Sequence, residues 1–152
     1  MRRSMTVFIA LAVLSACGVA WAVDTNTLTV SASVTATCKF SSASSTLAFG
    51  ALDPSVGTDV NGSTTTQFWC TKGVTTDAII AGNGSNYSAP WRRMAGPGGD
   101  LIPYSLTLTV AGTNAGPASP RTLTIAGTVL GTDYTAKSAG SYSDTVALTI
   151  TP

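Results

Sequence analysis

The chain has 152 residues, of which 44 % are hydrophobic and only 10 % charged, and eight basic against seven acidic residues leave a formal net charge of +1. That balance provides no basic stripe for nucleic acid, and so few charges among so many β-branched residues are the wrong composition for disorder. His and Glu are absent and every acid is Asp, which excludes His triads, His metal sites and Glu general acids.

In chain order, the first segment reads as an export signal. Arg2 and Arg3 precede an apolar run from Met5 to Leu14, and Ala20-Trp21-Ala22 offers a small-residue cleavage site. Cleavage there makes residues 1–22 a secretory signal peptide and leaves one domain over 23–152. Two alternatives use the same residues. Leu14-Ser15-Ala16-Cys17 resembles a lipobox whose Cys is lipidated, and Met5 to Val23 is just long enough to anchor in a bilayer core of about 30 Å. All three readings carry the chain across the inner membrane.

The next segment alternates strictly. Leu28, Val30, Ala32, Val34 and Ala36 share one parity, and Thr27, Thr29, Ser31, Ser33 and Thr35 the other. The pattern predicts an extended strand with one apolar face. Thr25 to Thr37 carries no charge, proline or glycine, the usual guards of an edge strand. It is either the first strand of a complete sandwich or a strand that adds to another subunit's sheet edge.

Apart from Cys17, the cysteines are Cys38 and Cys70. An even pair in an exported chain predicts a disulfide, worth about 3–4 kcal/mol in the chain-entropy model. A two-thiol metal site is the alternative and lacks further ligands. Asp53 and Asp59 lie in a polar loop, as Ca²⁺ ligands or as solvated turn residues, and the second account is favoured.

Period two continues through Thr66, Phe68 and Cys70, then Leu106, Leu108 and Val110, then Leu123 and Ile125, and finally Tyr142, Val146, Leu148 and Ile150. Turn clusters separate these runs: Asp53-Pro54, Asn61-Gly62, Gly82-Asn83-Gly84 and Gly96-Pro97-Gly98-Gly99. No window of ten residues supports a helix, and 25 threonines favour half-exposed strands. The predicted class is all-β, an immunoglobulin-like β-sandwich with the disulfide joining the first strand to a middle one. A closed barrel is the alternative, and a transmembrane barrel lacks its aromatic girdles.

Trp91, Arg92 and Arg93, with Tyr87, form an aromatic–basic cluster able to stack on a sugar or an acidic surface. The plainer reading has Trp91 capping the core and the arginines in water. Neither a Gly-x-Ser-x-Gly nor a Ser-x-x-Lys spacing occurs, so an enzyme is not expected, nor is a metal or cofactor.

Four stretches carry a family resemblance: Thr27 to Cys38 followed by Leu47-Ala48-Phe49-Gly50; Trp69-Cys70-Thr71-Lys72-Gly73; Arg93-Met94-Ala95-Gly96 with Leu101-Ile102-Pro103-Tyr104-Ser105-Leu106; and Gly140-Ser141-Tyr142-Ser143-Asp144-Thr145-Val146. In this order they resemble the spore coat protein U domain family, whose members include subunits of archaic chaperone–usher pili (Csu-type pilins). The resemblance implies an incomplete sandwich lacking its last strand, completed by donor-strand exchange. A periplasmic chaperone first fills the open groove, and the next subunit's N-terminal extension replaces it at an outer-membrane usher. Like subunits would then join head to tail in a secreted surface filament for adhesion or biofilm. Carried onto this chain, residues 23–31 are the donor extension, with Leu28, Val30 and Ala32 as inserted side chains. The first domain strand would run from Ala32 to Thr37, and Tyr142, Val146, Leu148 and Ile150 would edge the groove. Two features depart from the family pattern: Thr107 to Val110 stays strand-like, and the chain ends on Pro152. A stand-alone secreted coat protein or a sugar-binding adhesin is the alternative function.

Overall fold

The computed structural model describes residues 22–75 and 78–152. The chain divides into an N-terminal unit ending at Ser33 and a domain over Val34–Pro152. The segment expected to be a signal, with Cys17, lies outside the described residues apart from Ala22.

In the first unit, residues 22–33 form neither strand nor helix, and Leu28 and Val30 are 85 % and 83 % exposed. The strand expected over Thr27 to Ala36 is therefore not formed, nor is a first domain strand from Ala32. Alternation specifies a strand only where a sheet edge supplies hydrogen bonds, and a lone extended segment has none.

The domain is mostly β. Its strands are β1 (Cys38–Phe40), β2 (Val60–Cys70), β3 (Ala78–Ala81), β4 (Arg92–Ala95), β5 (Leu101–Ala111), β6 (Arg121–Val129) and β7 (Leu148–Thr151). Five form one antiparallel sheet in the order β1-β2-β6-β5-β4, and β3 pairs with β7 in a second. Among the described residues, helical structure is confined to a 3-10 turn over Pro97–Gly99 and a four-residue α1 (Gly131–Tyr134). Alternation in the long strands sets their faces. Phe68 and Cys70 of β2 and Leu123 and Ile125 of β6 are buried, while Ser63, Thr65 and Gln67 stay in water. Ile79 of β3 with Leu148 and Ile150 of β7 pack on the same four buried residues, so the two sheets share a core. A second cluster, Ile102, Tyr104, Val129 and Tyr134, lies further along β5 and β6.

Three expectations need correction. Asn61-Gly62 is no turn; both residues sit within β2, where Gly62 pairs with Gly127 of β6. A Cβ at Gly62 would lie 2.9 Å from the Ala48 carbonyl oxygen, and one at Gly127 would lie 3.0 Å from Phe49. The glycine pair is a hollow in the sheet that admits Leu47–Phe49. The final strand is also shorter than its alternation: β7 covers Leu148–Thr151, and the chain from Tyr142 is extended with one bridge, Ser143 to Ala95. Lastly, β3 and β4 have four residues each, too few for periodicity to reveal.

Candidate functional site

The bridge between Cys38 and Cys70 is formed. The two residues face each other in the β1–β2 register. Their neighbours carry the hydrogen bonds, Thr71 N–H to the Thr37 carbonyl (2.8 Å) and Ser41 N–H to that of Gln67 (2.8 Å). Cys38 and Cys70 are thus a non-hydrogen-bonded pair, the closer kind, with Cα atoms 4.1 Å apart. The bridge closes one end of the core.

Beyond that closed end the domain contains an apolar groove of about 860 Å³. Thr64, Ile102, Tyr104, Leu106 and Ile125 from β2, β5 and β6 form its floor. Its two walls lie outside the strands, residues 45–52 on one side and 137–146 on the other, the second bending through 137–140 before it runs on.

The first wall is seated by its side chains. Leu47 and Phe49 rest over the Gly62–Gly127 hollow, and the Phe49 ring meets Tyr104 at 6.1 Å between centroids. Among the described residues, the main chain of Leu47–Leu52 forms no hydrogen bond. A partly exposed row of free N–H and C=O groups beside an apolar trough is a sheet edge in waiting.

The second wall is tied down at Ser138, Tyr142, Ser143 and Asp144. Ser143 and Ala95 exchange reciprocal backbone bonds of 3.0 and 2.9 Å. The Tyr142 hydroxyl donates to the Ser138 carbonyl at 2.8 Å, and its ring covers Gly96, where a Cβ would overlap it. Asp144 accepts the Tyr104 hydroxyl at 2.6 Å and the Ser85 N–H at 2.8 Å. Asp100 accepts the Ser138 N–H at 2.8 Å. Burial, then the bond to Asp144, pushes the Tyr104 phenol well above its ordinary value. Hydrogen bonds from Ser138 hold the Asp100 carboxyl below the usual range, and burial followed by Asp100 raises Tyr142.

Tyr142, Val146 and Leu148, expected at the groove edge, do line the groove. Ile150 instead pairs with Ile79 and packs in the closed core. Leu28, Val30 and Ala32 lie in the first unit, exposed. The opposite wall and the glycine hollow escaped the sequence reading. The signal was present, since Leu47, Phe49 and the two strand glycines are in the sequence, but only the β2–β6 register brings them together.

Trp91, Arg92 and Arg93 do not act as one patch. Trp91 is 47 % exposed and so does not cap the core. Arg92 is not free in water: Nε donates to the Gly82 carbonyl at 2.8 Å and Nη2 to that of Ala81 at 3.0 Å, tying β4 to the end of β3. Arg92 and Arg93 are consecutive strand residues and point to opposite faces. Asp53 and Asp59 are engaged as well. Asp53 accepts the Ser55 N–H and hydroxyl, and Asp59 the Gly131 N–H.

No curated protein matches the chain. The model of one family, the Spore Coat Protein U domain, matches residues 24–149. That match spans most of the chain and takes in the groove and nearly all of the two-sheet domain, and the protein belongs to the Spore Coat Protein U domain family.

Proposed function

We propose that this protein is a structural subunit of a surface filament, polymerised when the N-terminal segment of one copy lies in the groove of another. The family is structural rather than catalytic and includes Csu-type pilus subunits. In this reading the domain is an immunoglobulin-like sandwich short of one strand, and residues 23–31 are the missing strand supplied in trans.

One observation carries the reading: an apolar groove flanked by main chain without partners, in a chain that also holds an exposed, alternating, unguarded segment. The two are complementary. Six residues of wall, Leu47–Leu52, span about 20 Å of extended chain. Leu28 to Ser33 has the same length and presents three inward side chains, Leu28, Val30 and Ala32. Its polar parity, Thr29, Ser31 and Ser33, would face water. Backbone bonds to the free wall supply affinity and the alternate side chains supply register. Because a head-to-tail contact does not close on itself, repetition gives a fibre.

The disulfide is consistent with export through an oxidising compartment. A periplasmic chaperone holding the groove and an outer-membrane usher are the partners this assembly needs. Deleting Val23 to Val30 tests the reading in periplasmic expression. Assembly is expected to vanish, with a synthetic Val23–Ala36 peptide restoring protection of the groove in the purified deletion variant. Filaments that survive the deletion overturn the proposal.

A further inference from the structure

The two ends of the five-stranded sheet differ, and the difference points to a second contact between successive copies. At one end the chain before Val34 joins the domain. Thr71 holds that junction: the Thr37 N–H donates to its Oγ1 at 3.1 Å, and the hydroxyl donates to the carbonyls of Thr35 (3.2 Å) and Thr37 (3.3 Å). Thr35 to Thr37 therefore continue the line of β1 past Cys38. Around them is a shallow depression of about 390 Å³, lined by Val34, Ala36, Lys72, Gly73, Val74 and Pro152. Its floor is braced, since the Asn114 side-chain amide donates to the Val74 carbonyl at 2.7 Å.

The other end, beyond the Val60–Val129 pair, is a braced knob. The turn after Asp53 and helix α1 are locked together: Gly131 packs against the Gly57 backbone, its N–H donates to Asp59 at 2.9 Å, and the Tyr134 hydroxyl donates to the Thr58 carbonyl at 2.7 Å. Flanking that contact, Val56 and Leu130 are 60 % and 43 % exposed. Asp53, Asp59 and Asp133 lie in the same two segments, with Lys137 following α1.

The direction of pairing brings these ends together. Every strand pair in the domain is antiparallel, and the wall from Tyr142 to Thr151 runs toward the junction end. A strand added antiparallel to it runs the other way, so its C-terminal end emerges at the knob. That emerging end is covalently the Val34 junction of the next copy, which places the depression of one copy over the knob of its neighbour.

We propose that Val56 and Leu130 of one copy dock in the depression around Lys72 and Val74 of the next, with Lys72 facing the aspartates of the knob. This contact rests on the donor-strand reading and adds an interface outside the groove. Two measurements separate them. Fluorescence anisotropy of a labelled Val23–Ala36 peptide against the variant lacking Val23 to Val30 reports groove occupancy alone, and analytical ultracentrifugation of residues 23–152 reports the assembly. Val56→Asp with Leu130→Asp is expected to leave peptide binding unchanged and to weaken assembly about 10-fold or more. Lys72→Glu should weaken assembly alone, and adding Asp133→Lys should restore it, a rescue that misfolding cannot mimic. Wild-type assembly in the Val56→Asp/Leu130→Asp variant, or no rescue by the charge exchange, overturns the contact and leaves the donor reading standing. Failure of the peptide to bind the deletion variant overturns both.

Discussion

The two walls of the groove lie outside the strands and are held by opposite means. Leu47–Leu52 is placed by side chains dropped into a glycine hollow, and its main chain is unpartnered among the described residues. The wall from Ser138 to Val146 is fixed through Ser143–Ala95, Tyr142–Ser138 and Asp144–Tyr104. Apolar seating alone leaves backbone groups wanting partners, whereas the second wall is pinned at Ser138 and Ser143. A groove with one rigid side and one unsatisfied side can accept a strand without first breaking anything.

Hydrogen exchange gives the largest expected separation of the walls. Amides from Ala48 to Ala51 should exchange near the rate of open chain, while those of Ser143 and Ala95 are protected about 10²–10³-fold. Excess Val23–Ala36 peptide should slow the first set and leave the second unchanged. Equal protection of both walls in the free protein would erase the distinction.

Gly96→Ala attacks the bonded wall directly. The added methyl meets the Tyr142 ring, and overpacking of this kind costs about 3 kcal/mol, read as a lower urea midpoint with loss of peptide binding. A midpoint within experimental scatter of wild type shows that Tyr142 is free to move, and the wall is then not rigid.

Tyr104→Phe removes the bond to Asp144 and should cost about 1.5–3 kcal/mol, as hydrogen bonds to charged acceptors do. The pH dependence has a definite sign. The Tyr104 phenol is raised above its unfolded value of 10.0, so its contribution is complete below pH 10 and is lost as pH rises beyond it, because the unfolded chain ionises first. The alkaline decline in wild-type stability should shrink in Tyr104→Phe, followed by urea titrations from pH 9 upward.

Asp100→Asn is the mildest. Its carboxyl is lowered from 3.8 by Ser138, so that contribution is present above about pH 4 and fades as pH falls through the folded value. The group is exposed, and the expected signature is a slightly flatter acid limb. An unchanged limb would leave Ser138 held by Tyr142 alone.

Much of this was legible before any coordinates. Parts of β2, β5 and β6 follow from the alternation through 66–70, 106–110 and 123–125, and the Cys38–Cys70 pairing from cysteine number. The short strands β3 and β4 were not legible, because four residues carry too little periodicity and their edges exist only once β7 and β5 are in place. Arg92 illustrates the same limit: as a sequence neighbour of Trp91 it suggested a binding patch, yet it bonds carbonyls ten and eleven residues earlier in the chain.

By itself the sequence determined which residues face inward, since side-chain parity along a strand is a local property. It also determined that residues 25–37 are an uncharged, unguarded strand candidate. Only the tertiary structure decided where the apolar groove lies. The groove depends on the register that sets Gly62 against Gly127 and on the hydrogen bonds that fix Ser143 and Asp144, which are contacts between residues remote in sequence.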